Sequence, residues 1–553
     1  IKSPTNMIYN DRVTLFEITA TDESEIDSIW YSWHGTNVTY LTPYYITFDE
    51  GINTIHAWAN DSAGNLASAL VTFSVDTTNP TIEIVHPTTT FYGDSTQLLD
   101  LSISDDIAID QIWFNWNGEN VLYTSPTNVT FADGPITVHV YANDTAGNTF
   151  HYSVNFTIAD VFTTIWDPTM TSIFSTTVNK IALPLQSTGA YDFWVLWGDG
   201  TSDHITSWNQ SEVIHSYSTL GLFEVKIIGT ITEWGFFNNG DKVKIMEIKR
   251  WGSVQLGISS SVFAGCENLV ITATDPIPFE GRTNYRGLFM SCTQLTTIPN
   301  LESLDTSNVT DMSLMFAGAT NFNQELHDWN VSKVTTMQQM FFTAETFNFS
   351  LNSWDVSSVT DMSNMFAYAY GFNQPLNDWD TSSVVNMEHM FEFAVYFNQP
   401  LNDWNTSSAV NMENMFEYAV YFNQSLSSWD VSNVETMREM FKEASNFNQP
   451  LSKWNVSDVT DMYGMFNRAD NFDQDLGAWN VSSVTTMQYM FWEITLSTPN
   501  YDNLLIGWSS LSVQSLVSFS AGYSQYSSGA AADARNVLDI TYEWYISDGG
   551  LAS

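Results

Sequence analysis

From about Asp305 to Phe491 the chain repeats one phrase, V-x-x-M-x-x-M-F-x-x-A-x-x-F-N-Q-x-L-x-x-W-[DN], every 25 residues. Trp329, Trp354, Trp379, Trp404, Trp429, Trp454 and Trp479 mark the period. So do the methionine pairs from Met312/Met315 to Met487/Met490 and the phenylalanines from Phe316 to Phe491. A fixed period of this length marks stacked supersecondary units. One unit cannot bury its apolar face alone, so neighbours must stack, and a solenoid is expected. M-x-x-M-F-x-x-A has helical spacing, and F-N-Q-x-L alternates as a short strand does. Each coil is therefore predicted to hold a short helix, a short parallel strand and a turn at W-[DN]-x-S. Asn323, Asn373, Asn398, Asn423 and Asn448 would stack as a ladder bonding adjacent backbones. Methionine fills an imperfect layer better than leucine, so the Met columns read as core and not as a metal box.

Two irregular coils lead in. "VFAGCENL" (262–269) and "LFMSCTQL" (288–295) align with "MFAGATNF" (315–322), which makes about ten coils in all. Cys266 and Cys292 fall in the column that later holds Ala319, Ala344 and Ala369, so they read as buried small apolar residues. Adjacent coils on the helical side usually exceed the Cα separation of about 7 Å that a disulfide tolerates. After the repeats, "YSSGAAADARNVL" (526–538) reads as a short capped helix and "YEWYISDGG" (542–550) as a closing strand and turn. Such atypical ends cover the last apolar face of an array.

Residues 1–160 are two copies of one module. "IDSIWYSWHG" (26–35) matches "IDQIWFNWNG" (109–118), and "AWANDSAGN" (57–65) matches "VYANDTAGN" (140–148). Period-2 alternation with frequent turn clusters predicts all-β sandwiches of about 80 residues. The pairs Trp30/Trp33 and Trp113/Trp116 are expected to supply the cores, and Gly64 and Gly147 to close tight turns at φ > 0. Copy two opens with a strand over 81–85 before Pro87, whereas copy one starts part-way through the equivalent strand. Three readings follow: a fragment of a longer array, a few residues simply unseen, or a strand supplied by a neighbouring subunit as in strand-complemented filaments.

Composition narrows the function classes. Acidic residues number 62 against only 16 Lys+Arg, for a net charge of −46. A surface this poor in basic residues repels polyanions, which argues against nucleic-acid binding and against docking on anionic lipid. Hydrophobic residues at 44% and aromatics at 15% supply folded cores, so disorder is rejected. No apolar run approaches the ~20 residues of a membrane span, and no signal peptide opens the chain. An exported form would carry its signal and anchor outside this sequence.

Three resemblances to known families follow. The two N-terminal copies resemble the bacterial and archaeal immunoglobulin-like modules of surface proteins, whose usual role is spacing or adhesion. "YDFWVLWGDGTSDH" (191–204) followed by "HSYSTLGLFEVKIIG" (215–229) resembles the PKD-type (polycystic kidney disease) β-sandwich. There Gly198 and Gly200 would close a turn, and His215 and Tyr217 would hydrogen-bond across the sandwich. Asp199 and His215 read as structural, because they offer no third ligand or nucleophile. The phrases "DVSSVTDMSNMF" (355–366) and "FNQPLNDWDTS" (372–382) resemble the BspA-like leucine-rich-repeat surface proteins, also described as mycoplasma lipoprotein-type repeats. The resemblances imply a multidomain fold. The expected parts are an immunoglobulin-like sandwich over 1–76 with an incomplete first strand, a second over 77–160, and a PKD-like sandwich over 161–250. An α/β leucine-rich-repeat-type solenoid of about ten coils would follow over 251–498, with a cap over 499–553. They also imply an exported, cell-surface protein without known catalysis.

No GxSxG, HExxH, P-loop, GxGxxG or Cys/His cluster occurs, so no catalytic or metal residue is assigned and an extracellular hydrolase has no constellation behind it. No cofactor is expected. Structural calcium at the Asp-rich turns fits the composition but is not predicted, since no D-x-D-x-D-G loop exists. Thirteen N-x-[ST] triplets occur, at Asn37, Asn60, Asn128, Asn143, Asn155, Asn209, Asn308, Asn330, Asn348, Asn405, Asn423, Asn455 and Asn480. They are glycosylation acceptors if exported, and chance matches in an Asn/Ser/Thr-rich chain otherwise. Two columns of the repeat turn from polar to aromatic in the central coils. They place Tyr368, Phe393, Tyr396, Tyr418 and Tyr421 together as a candidate binding patch. The expected function is non-catalytic adhesion or recognition at a cell surface, a sandwich stalk presenting the repeats to a protein or glycan. The alternative is a structural subunit of a surface layer or filament, binding copies of itself through the incomplete first sandwich.

Overall fold

The structure, a computed structural model, describes residues 1–279 and 281–553. It divides into two compact units, Ile1–Asp160 and Val161–Ser553.

The first unit holds the two duplicated modules, offset by 83 residues from Trp30 to Trp113. In the second module the strands Thr81–His86, Thr96–Ser104 and Thr127–Thr130 form one sheet. Val121–Leu122, Ile109–Asn115, Gly134–Asp144, Thr149–Ile158 and Phe91–Tyr92 form the other. Ile82 and Leu99 from one sheet share a core with Phe114, Val138, Val140 and Phe156 from the other. The first module repeats this plan. Ile1–Ser3 align with Ile84–His86, and Ser3 bridges to Glu17 as His86 pairs with Asp100. Beside Ile1 a groove of ≈ 450 Å³ runs between Ile18–Asp22 and Leu66–Ala69.

The tryptophan pairs divide between two faces. Trp30 and Trp33 are three residues apart on one strand, so they cannot share a side of the sheet. Tyr31 and Phe114 are the buried residues of those strands, with Trp33 and Trp116 packed at the edge of the cores. Trp30 and Trp113 lie outside the cores and stack on Trp58 and Tyr141.

The second unit opens with a six-stranded sheet, ordered Ser202–Ile205, Tyr191–Leu196, Phe223–Ile231, Phe162–Trp166, Ile245–Arg250 and Val270–Ile271. Gly198 and Gly200 take φ of 83° and 90° in the W-G-D-G turn. Tyr217 Oη donates to the Trp197 carbonyl at 3.0 Å, and His215 Nε2 meets Asp199 Oδ2 at 2.8 Å while its ring lies on Trp197. Val270–Ile271 comes from the leading repeat and pairs in parallel with Ile245–Arg250. One continuous core therefore runs from Phe162 through the repeats to Trp544.

The repeats overturn the expectation of an α/β leucine-rich-repeat-type solenoid. The chain is nearly all β, with 28% strand against 5% helix, in many small sheets. Among the described residues the 25-residue repeats contain neither an α-helix nor a strand longer than one bridge. The reason lies in where the backbone N–H groups go. Those of Met337, Gln339, Phe341 and Thr343 donate to the carbonyls of Asp361, Ser363, Met365 and Ala367 in the next repeat. They are then unavailable for the i→i−4 bonds of a helix. Between them the chain closes successive i→i+3 turns, Met340 to Met337 and Ala344 to Phe341. Two residues per repeat take left-handed φ, Gln339 at 57° and Thr343 at 55° in this one. Methionines and phenylalanine at i, i+3 and i+4 face inward from such turns as they would from a helix.

Side chains complete the stacking. Phe rings of adjacent repeats lie 5.5 to 5.9 Å apart from Phe316 to Phe491. Each buried Trp donates its indole N–H to a leucine carbonyl of the previous repeat, as Trp379 does to Leu351 at 2.8 Å. The asparagine ladder is present: Oδ1 of Asn323, Asn348, Asn373, Asn398 and Asn423 accepts the N–H of the asparagine one repeat on. Cys266 and Cys292 are buried and free. Beyond the repeats, the helix Thr498–Ser509 places Trp508 so that its indole donates to the Leu476 carbonyl, and Phe519 and Trp544 close over it.

Trp379→Phe keeps a ring but removes one of the two hydrogen bonds that the Leu351 carbonyl accepts, the other coming from the Trp354 N–H, and should lower stability by about 0.5–1.5 kcal/mol. Trp379→Ala also opens a cavity and should cost about 3–5 kcal/mol. Denaturant titration followed by circular dichroism measures both, and an unchanged stability of Trp379→Phe would contradict the bonding role of the indole.

Candidate functional site

Positions outside the repeat's core recur every 25 residues, so any residue type placed there becomes a column on the surface. The five aromatic residues singled out by sequence fall in two columns. Tyr368, Phe393 and Tyr418 occupy the left-handed position two residues after the core Phe, at φ of 60°, 53° and 55°. Bulky residues adopt this conformation only when something holds them there. Here each backbone N–H reaches the next repeat, Tyr368 to Glu392 O, Phe393 to Glu417 O and Tyr418 to Lys442 O. Their half-buried rings stack at 4.7 and 4.2 Å. Both hydroxyls are already engaged, Tyr368 with Glu392 at 3.0 Å and Tyr418 with Glu443 at 3.3 Å. Burial and the Glu392 charge push the Tyr368 phenol up to about 12.

Tyr396 and Tyr421 differ. They stack on each other at 5.5 Å, 12° from parallel, and are 57% and 49% exposed. No ring contact joins them to the other column among the described residues. The same position one repeat earlier is Gly371, where an added Cβ would meet the Glu345 carbonyl at 2.8 Å. The position one repeat before Tyr396 therefore carries no side chain.

Beside the packed column, and along its continuation at Glu443, Arg468 and Glu493, runs a ridge of ion pairs that sequence reading missed, because its members change identity from repeat to repeat. Lys442 Nζ lies 2.9 Å from Glu417 and 3.0 Å from Glu439, and Arg468 bridges Glu443 at 2.7 Å and Glu493 at 3.1 Å. His389, Glu392 and Glu417 bring three ligand atoms within 4.8 Å of one another, a spacing that could hold a metal. Glu417 already has Lys442 and Asn414 as partners, so the charge there is balanced without one. Burial disfavours a charged His389, but the Glu392 carboxylate at 3.0 Å, with Glu388 and Glu413 nearby, outweighs it and raises the imidazole pKa.

Of the thirteen candidate glycosylation asparagines, Asn60 and Asn143 are half-buried and tied to Asp27 and Asp110. The other eleven are exposed.

Residues 283–404 and 392–504 match the model of a family described as "Mycoplasma protein of unknown function, DUF285". The match lies within the repeats and their exit. No curated protein matches. Among solved structures, the fibronectin(III)-like modules of Clostridium thermocellum CbhA are 17% identical, cover 28% of this chain and 91% of theirs, and give a TM-score of 0.21. A 1.5-MDa bacterial ice-binding adhesin is 13% identical over 38% of this chain and 77% of its own, at 0.17. SGBP-B of the Bacteroides ovatus mixed-linkage glucan utilization locus, solved in complex with a mixed-linkage heptasaccharide, is 13% identical over 40% of this chain and 56% of its own, at 0.12. These scores are too low to carry a role across.

A histidine pKa raised by folding contributes stability below its unfolded value of about 6.5 and loses it as pH rises through the folded value. Glu392→Gln should lower the His389 pKa seen by NMR titration. It should also destabilise by up to about 1 kcal/mol at pH 5.5 and by less at pH 9. An unmoved His389 titration would contradict the pairing.

Proposed function

We propose that this chain is a non-catalytic recognition protein of a cell surface, and that Tyr396 and Tyr421 form its binding ledge for a neutral saccharide. The observation that carries the reading is the exposure of two parallel rings on a rigid backbone, one of them beside the bare Gly371. Aromatic rings with a polar tip supply contact area at low entropic cost, which suits them to binding surfaces. The flat apolar faces of sugar rings stack on such rings, and the tyrosine hydroxyls can bond sugar hydroxyls. The surface charge fits a neutral ligand, since a net −46 repels polyanions. Exposed asparagine triplets around the repeats are compatible with an extracellular setting.

The test is a glycan array, with calorimetry on any ligand it returns. Tyr396→Ala with Tyr421→Ala should weaken binding about 10–100-fold. Both rings lie outside the core, so the melting temperature should move by no more than about 2 °C. Binding unchanged in the double variant, or no saccharide bound by the parent chain, would overturn the reading.

A further inference from the structure

Asp76 follows the last strand of the first module, Asp105 follows Thr96–Ser104, and Asp144 ends Gly134–Asp144. One carboxylate oxygen from each lies within 4.8 Å of the others. Asp76 is 4% exposed and Asp144 1%.

Each carboxylate uses one oxygen to hold its own loop. Asp76 Oδ1 accepts the N–H and hydroxyl of Thr78, and Asp105 Oδ2 accepts the N–H of Ile107. Asp144 Oδ1 accepts three backbone N–H groups, from Ala146, Gly147 and Asn148. The remaining oxygens converge with little to bind. Asp144 Oδ2 takes the Asn148 amide, but Asp76 Oδ2 and Asp105 Oδ1 are buried without a hydrogen bond. Asp106 adds a fourth carboxylate beside Thr78. No basic side chain offsets them: residues 1–160 contain only Lys2 and Arg12, which pair with Glu17 and Asp49. Burial raises the Asp105 pKa, and the charges of Asp76, Asp144 and Asp106 add to it. Buried, unpaired carboxylate oxygens are costly unless a proton or a cation satisfies them.

The first module is an internal control. By the 83-residue offset, Asp22 and Asp61 repeat Asp105 and Asp144, and Ser24 stands where the second module has Ile107. The Ser24 hydroxyl joins Asp22 to Asp61, and Asn65 completes Asp61. Hydrogen bonds from Ser24 and from Asn65 hold the Asp22 and Asp61 carboxyls below their usual range. The second module has isoleucine in place of that hydroxyl, and Asp76 of the linker brings a third carboxylate to its pair.

We propose that Asp76, Asp105 and Asp144 bind a divalent cation at the start of the second module, clamping the inter-module linker to two of its loops. The donors are all carboxylate oxygens, with no imidazole or thiolate, which is the set a hard ion takes. Loop-borne carboxylates of irregular geometry suit calcium better than magnesium, which demands a near-ideal octahedron.

The test uses the full chain freed of metal by chelation and titrated with calcium chloride by calorimetry, with thermal unfolding in parallel. Calcium should bind with Kd in the range of about 0.1–1 mM and raise the melting temperature of the first unit. Asp105→Asn and Asp76→Asn should each weaken this binding at least about tenfold and remove the calcium-dependent rise. Without metal, Asp105→Asn should melt no lower than the parent, because it removes a repelling charge; this separates loss of a ligand from misfolding. No binding by the parent chain, or undiminished binding in both variants, overturns the proposal. Stabilisation by acid alone, with no calcium effect, would assign the site to a shared proton and overturn it equally.

Discussion

The bond on which most of this molecule depends is the one from a backbone N–H to a carbonyl one repeat further on. In each repeat, alternate N–H groups leave their own turn and pair with the next, as Met337, Gln339, Phe341 and Thr343 do. This places equivalent residues one above another, so every column of identical side chains becomes a stack. Phenylalanines then meet at 5.5 to 5.9 Å, indoles find leucine carbonyls, and asparagines bond the backbone of their neighbours. Helical bonding within a repeat would satisfy the same N–H groups but leave adjacent repeats joined by side chains alone. With the polar backbone committed between repeats, burial of Phe, Met and Trp and hydrogen bonding act along one direction.

That arrangement separates stability from display. The core columns are filled by the repeated Phe, Met, Trp and Leu, and substitutions elsewhere cost little while appearing as surface rows. The packed Tyr368, Phe393 and Tyr418 stack and the Lys442 and Arg468 bridges extend the cohesion outward. Among the described residues of the 25-residue repeats, Tyr396 and Tyr421 combine ring stacking with open exposure, and the bare Gly371 position adjoins that ledge. The first unit solves a different problem. Its modules bury small cores between sheets, and where the linker enters the second one it gathers carboxylates without a basic partner.

Much of this was legible in the residues. The period, the inward Phe and Trp columns, the asparagine ladder and the module duplication follow from spacing alone. Local conformation in the repeat did not. Methionines at i, i+3 and a phenylalanine at i+4 suit a helix and a run of stacked turns equally. The deciding left-handed positions carry Gln339, Glu439 and Tyr489 as readily as Gly464, so no glycine signal marks them. The tryptophan pairs are expected to supply the cores, yet an odd spacing on a strand places the two members on opposite faces. The aspartates of the second module lie far apart in sequence. The only hint was a comparison of the two copies, in which Ser24 becomes Ile107.

The most direct measurement of the inter-repeat register is a pair of deletions in the full chain. Removing 430–454 takes out 25 residues and leaves every column aligned, whereas removing 430–453 takes out 24 and shifts all later repeats by one position. If N–H to carbonyl pairing between repeats holds the stack, the 25-residue deletion should keep the circular dichroism spectrum and cooperative unfolding of the parent. The 24-residue deletion should lose both. Equal behaviour of the two proteins would contradict the dependence of this fold on its register.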